Sequence, residues 1–176
     1  MSVLANAPHE DGSPTDMAAP ACEMWFYHLE RTDIGATLPP LLEKCAERGW
    51  RAIVRSPSQP RLVALDKDLW TYRPNAWLPH GLACGDADVD DRQPILLEPL
   101  SEAATPPPNC HCDALFLLDG ADWAGVTGVK RIFIVFDGRD EAALVAARAD
   151  WRRAKAAGFD AAYWQQNEAG QWARKS

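Results

Sequence analysis

The run Arg131-Ile-Phe-Ile-Val-Phe136 constrains the fold more than any other stretch of the chain, because it is the most continuous apolar run and shows no alternation of wet and dry positions. A short uninterrupted run of β-branched and aromatic residues fits a strand buried on both faces, which needs helices above and below it. An Asp-Gly turn follows, then an Ala-rich helix reaching about Ala157 with Asp137 or Asp140 as its cap, then a Gly158-Phe159 exit into Tyr163-Trp164-Gln165-Gln166. The core face of that helix is ambiguous in so much alanine. Leu144, Ala147 and Trp151 share one side, with Arg148 and Lys155 on its margin.

The front of the chain repeats the pattern. Trp25-Phe-Tyr-His-Leu29 is a short apolar strand, residues 37–49 read as a helix with prolines in its first turn and Gly49 at its end, and Trp50-Arg-Ala-Ile-Val-Arg55 is the next strand. A strand, helix, strand crossover of this kind implies a parallel pair. Residues 58–69 carry Leu62, Leu65 and Leu69 at helical spacing, and residues 93–98 and 114–118 are further strands separated by a loop, 103–109, that three prolines keep out of any helix. Residues 70–80 read as a loop, residues 85–92 as a solvated acidic turn, and the tail from 161 to 172 as a short strand or hairpin. The fold class is therefore a single-domain, three-layer α/β architecture with a mostly parallel central sheet flanked by helices. Residues 1–22 are rich in Pro, Gly and small polar side chains without a period, so a disordered leader is expected there and the α/β domain over 23–176.

Composition removes several classes of function. With 176 residues, 47% apolar and 24% charged, the chain has the composition of a globular domain with one sizeable core. It contains no run of eighteen apolar residues and no signal-peptide pattern, so a cytoplasmic protein without a membrane partner is expected. A formal charge of −7 argues against direct duplex DNA binding, which needs a phosphate-neutralising surface. Five cysteines, an odd number without a secretory signal, read as reduced thiols.

The charge is unevenly spread. From residue 129 onward nine Lys/Arg face six Asp/Glu, whereas the first 128 residues hold nine against nineteen, so the chain is acidic everywhere except its last third. Arg148, Arg152 and Lys155, at i, i+4 and i+7, share one helix face beside Trp151, a basic edge along an aromatic. A peptide bearing carboxylates and an apolar side chain wants this combination, since Arg grips carboxylates bidentately next to an apolar slot.

An enzymatic alternative rests on two strands that each end in Asp-Gly, at Asp119-Gly120 and Asp137-Gly138, because open α/β sheets keep metals and phosphates at their strand ends. It would be a metal-dependent phosphoesterase or nucleotide hydrolase. Neither G-x-x-x-x-G-K-[ST] nor G-x-G-x-x-G is present to cradle a phosphate, and Cys110-His111-Cys112 has no second ligand pair for zinc, so no catalytic residue, metal or cofactor is assigned. A third reading, single-strand stacking on Trp70 and Trp77, meets the same objection of overall acidity.

Several segments together resemble the chi subunit of bacterial DNA polymerase III holoenzyme: Phe26-Tyr-His-Leu29, Leu65-Asp-Lys-Asp-Leu-Trp70, Trp77-Leu-Pro-His-Gly-Leu82, Phe136-Asp-Gly-Arg-Asp140 and Ala156-Ala-Gly-Phe159. The resemblance implies an accessory subunit without activity of its own in a DNA-directed DNA polymerase (nucleotidyltransferase) complex. It would join the clamp-loader complex through the psi subunit and capture the acidic C-terminal tail of single-stranded-DNA-binding protein. The positions matching the tail site are Arg148, Trp151 and Arg152, with Lys155 on the same face; Leu144 stands where members of the family often carry a basic residue, which implies a weaker or shifted ion pair. Trp70, Trp77, Pro79 and His80 match the family's signature loop, with no partner assigned to it.

Overall fold

The computed structural model describes residues 22–100 and 112–175. Most of the expected leader and the proline loop 103–109, with Cys110 and His111, lie outside these described residues. The elements in chain order are β1 (Glu23–Leu29), α1 (Ile34–Glu47), β2 (Ala52–Ser56), α2 (Gln59–Thr71), β3 (Gly81–Leu82), α3 (Ala87–Asp90), β4 (Ile95–Pro99), β5 (Ala114–Leu117), β6 (Arg131–Asp137), α4 (Glu141–Ala156), β7 (Asp160–Gln166) and β8 (Trp172–Arg174). They form one eight-stranded sheet in the order β3-β4-β2-β5-β6-β1-β7-β8, parallel throughout except for the terminal β7–β8 pair. The expected three-layer, mostly parallel architecture is thus what forms, and no helix among the described residues is long and apolar enough to cross a membrane.

The period of two along each strand divides the core into two layers. On one side Tyr27, Val54, Leu97, Phe116 and Phe133 meet Leu38 and Leu42 of α1 and Leu62, Leu65 and Leu69 of α2. On the other, Met24, Phe26, Ile132 and Ile134 meet Ala147 and Ala154 of α4, together with Trp123 from the loop between β5 and β6. Trp123 acts as a second anchor for that thinner layer, edge-on to Phe159 at 5.3 Å and donating its indole N–H to Asp150 at 3.3 Å.

Several boundaries differ from the sequence reading. Helix α1 starts at Ile34 because the Asp33 carboxylate accepts from the N–H of Ala36 at 2.8 Å, so Pro39 and Pro40 fall inside the helix instead of in its first turn. Each proline removes one i→i−4 bond, and the cap and the burial of Leu38 and Leu42 carry the helix past them. Trp70 belongs to the last turn of α2 and not to the following loop. The acidic stretch holds one turn of helix, α3, because its carboxylates serve as backbone acceptors: Asp86 caps Asp88, and Asp90 accepts from the N–H groups of Cys84 and Gly85.

Adjacent strands β6 and β1 send their chains to opposite faces, β6 through α4 and β1 through α1. Such a switch point opens a crevice at the carboxyl ends of the strands. It also brings the end of β1 under the flank of α4.

Candidate functional site

Helix α4 owes its start to Asp140, whose side chain accepts from Ala142 at 2.9 Å, and its closeness to the sheet to two buried alanines, Ala147 and Ala154. With alanines on the seam, the helix lies low enough for Trp151 to reach Phe26 edge-on at 5.2 Å and Tyr163 at 5.8 Å. Trp151 is therefore half-buried: one part is fixed against β1 and β7 and the rest faces outward. Arg148, Arg152 and Lys155 stand exposed around it, with the Lys155 ammonium 5.2 Å from the Trp151 ring. The four residues expected to act together do lie together.

Charge pairing divides the cations of the molecule: among the described residues Arg31, Lys44, Arg48, Lys67, Arg92 and Lys175 stand outside any ion pair as scattered side chains, no more than two to an element, whereas three on α4 do so side by side. Arg51, Arg55, Arg61, Arg73, Lys130, Arg131, Arg139 and Arg153 each meet a carboxylate within ion-pair distance. Among the described residues, Arg148, Arg152 and Lys155 meet none, and the Arg152 guanidinium donates only to the carbonyl of Arg148, at 3.3 Å. On the opposite flank of the same helix Arg153 is held by both Asp122 and Asp150. Three free cations on one aromatic ledge form a ready receptor for carboxylates.

The floor of this ledge consists of residues the sequence reading passed over. His28, at the end of β1, places Nδ1 3.0 Å from the Tyr163 hydroxyl and Nε2 3.6 Å from the Glu30 carboxylate, and its ring stacks on Phe136. Gln165 donates to Glu30 at 2.6 Å, which anchors that carboxylate. Burial pushes His28 below its ordinary range against the opposing pull of Glu30, and Arg148 adds to the downward shift. Burial also raises the Tyr163 phenol, with Arg148 countering. The alternation of β1 alone puts His28 on the same face as Phe26, but its meeting with Tyr163 depends on the β1–β7 pairing, in which Phe26 and Tyr163 are register partners, and no sequence signal shows that pairing.

The signature segment divides by burial. Trp70 and Trp77 are 53% and 72% exposed and pack edge-on at 5.7 Å, forming a small apolar projection. His80 is buried, with Nδ1 2.7 Å from the Leu78 carbonyl oxygen and Nε2 3.2 Å from that of Asp66, so it ties the loop to α2, and Pro79 beside it is half-buried. This projection sits on the α2 layer, across the sheet from α4.

The strand-end crevice, a cavity of about 550 Å³, contains both aspartates of the enzymatic alternative. Asp119 accepts from the Ser56 hydroxyl at 2.6 Å and is bridged by Arg61, and Asp137 is gripped by the Arg139 fork at 2.8 and 2.9 Å. Hydrogen bonds from the Arg139 side chain and backbone hold the Asp137 carboxyl below its usual range. Among the described residues no group of three or more His, Cys, Asp or Glu is placed to hold a metal ion.

Taken together, this is an α/β domain whose exposed chemistry suits contact with other chains: an unpaired basic ledge on one layer and an aromatic projection on the other. The chain belongs to the DNA polymerase III chi subunit family, since the family model described as DNA polymerase III chi subunit, HolC, matches residues 22–162. It is accordingly an accessory subunit of the DNA polymerase III complex. No curated protein matches the chain.

Proposed function

We propose that this subunit acts without a catalytic step of its own, as the cytoplasmic adaptor that connects the clamp loader of DNA polymerase III to single-stranded-DNA-binding protein. The acidic C-terminal tail of that protein settles on α4, its carboxylates on Arg148, Arg152 and Lys155 and its terminal apolar side chain against Trp151. The observation that carries this reading is the set of three unpaired cations around a half-buried tryptophan, in a chain whose charge is −7 and whose other buried or bridging arginines are matched by acids. The Trp70 and Trp77 projection serves the other side of the link, with the psi subunit as its partner. It supports that role because two tryptophans left more than half exposed are apolar area without a cover.

Isothermal titration with an acidic, Phe-terminated peptide tests the tail site. Arg148→Ala should weaken binding by about 1.5 to 3 kcal/mol, the range for hydrogen bonds to charged groups, with stability hardly changed. Affinity should fall with rising salt, whereas Trp151→Ala should weaken binding without altering the salt slope, because its share is apolar burial. Equal affinity of Arg148→Ala and the parent at low salt would remove the site from this helix.

A further inference from the structure

The basic ledge lies beside the point where the chain enters the sheet. Glu23 at the start of β1 is the register partner of Asp160 at the start of β7, and α4 leads into β7 through Gly158 and Phe159, so the last turn of the helix ends over the beginning of β1. Trp151 meets Phe26 of β1, and Lys155 stands one turn further toward that end of the strand. Cys22, the first described residue, packs with the α4 layer of the core, so the chain before it leaves the domain next to Lys155. Residues 1–21 hold Glu10, Asp11 and Asp16 and no Lys or Arg, with Met17 directly after Asp16. Asp16 precedes Cys22 by six residues, a reach of about 20 Å when extended, and Glu10 by twelve, about 40 Å. From Lys155 to Arg148 the ledge is only about 10 Å long at the rise of an α-helix. All of it lies within range.

We infer that the acidic segment carrying Glu10, Asp11 and Asp16 occupies the Arg148, Arg152 and Lys155 ledge of its own chain, an internal competitor that the partner's tail displaces. The inference rests on the tail-binding reading above and adds a regulator to that site. Charge complementarity selects this occupant: the three ledge cations meet no carboxylate among the described residues, and the three leader acids have no Lys or Arg near them in sequence. Asp16 and Met17 also set a carboxylate beside an apolar side chain, which is the combination that Arg152 and Trp151 present a surface for. Exposed charge pairs are individually weak. Tethering compensates, because a segment joined by a short connection acts at an effective concentration on the order of millimolar without any further contact. An external acidic peptide then sees only the fraction of ledge left open, so a leader in place about three-quarters of the time weakens it about fourfold. Salt screens the internal contact and opens the ledge.

Titration of the full-length chain with an N-acetylated acidic peptide ending in Phe tests this, with wild type compared against Glu10→Gln/Asp11→Asn/Asp16→Asn. At low salt the leader variant should bind about two- to fivefold tighter, and the difference should close as salt rises. A second triple variant, Glu47→Gln/Asp68→Asn/Asp88→Asn, removes the same charge from exposed positions on α1, α2 and α3 and should stay near wild type, which separates a contact from the general field of an acidic protein. Carbodiimide crosslinking of the unsubstituted protein should join the Lys155 amine to a leader carboxylate within one chain, and excess peptide should suppress that product. Equal affinity of wild type and the leader variant would overturn the inference while leaving the tail site standing. So would an equal gain in both triple variants, or a crosslink from Lys155 to the leader that joins two chains. Absence of peptide binding in all three proteins would overturn the tail site and the inference with it.

Discussion

Gly138 shows how much a single residue's reason can differ from its appearance in sequence. Both Asp-Gly pairs read as turns, and Gly120 is needed for that reason, at φ +76° directly after Asp119 at +52°. Gly138 is needed for space: an added Cβ would meet His28 Nε2 at 1.7 Å and the Leu29 carbonyl oxygen at 2.9 Å. Gly138→Ala should therefore destabilise the fold by about 1 to 3 kcal/mol, the usual cost of overpacking, and His28→Ala in the same chain should recover part of it by removing the nearer obstacle. Urea unfolding of the three variants checks both statements. His28 also makes a pH prediction. Its folded-state pKa is depressed by burial from 6.5, so the unfolded chain binds the proton first, and the stability it contributes is complete above 6.5 and lost as pH falls through the lower folded value. Unfolding midpoints measured from pH 7.5 to 5 should decline more steeply for wild type than for His28→Gln.

The elements were legible to the extent that their side chains contrast. Apolar runs located β1, β2, β4, β5 and β6 closely, and Leu62, Leu65 and Leu69 located α2. The start of α1 was misplaced because two prolines are a louder signal than one aspartate, although Asp33 does the capping. The two-residue β3 carries no periodicity at all, and the tail could be read only as a hairpin candidate because its second strand has three residues. Helix α4 was visible as a helix, yet its seam was not, since alanine differs little from its neighbours in hydropathy. The structure places that seam at Ala147 and Ala154, the latter fully buried. Enlarging it should lift α4 from the sheet: Ala154→Leu should cost about 1 to 3 kcal/mol and also weaken acidic-peptide binding, because Trp151 would lose its seat against Phe26 and Tyr163. Thermal melting and peptide titration on one preparation read both, and a variant that melts normally and binds normally would show the seam to be slack.

At the scale of the molecule, parallel pairing followed from the strand, helix, strand crossovers, whereas strand order did not, since one sequence contains no statement of which strand lies beside which. That order decides the functional geometry. It sets β4 and β2 under α2 in one half of the sheet and β6, β1 and β7 under α4 in the other, on the opposite face. The Trp70 and Trp77 projection and the Arg148 ledge are therefore separated by the full thickness of the sheet, and two partners bound there do not compete for surface. The sequence reading held both candidate sites without their separation. At 72% exposure Trp77 is not packed down on the sheet as a lid. If the two surfaces serve two partners, their substitutions should dissociate. Trp77→Ala should leave the melting temperature within about a degree or two, as exposed substitutions do, and leave acidic-peptide affinity unchanged, yet prevent the subunit from co-purifying with the DNA polymerase III complex. Arg148→Ala should do the reverse, remaining in the complex while losing the peptide. Because sites this far apart with no shared partner act additively, the double variant should show the sum of the two defects within about 0.5 kcal/mol. Quantitative co-purification and peptide titration of the four proteins measure this, and a Trp77→Ala variant that also lost the peptide would mean that the two faces are coupled through the sheet.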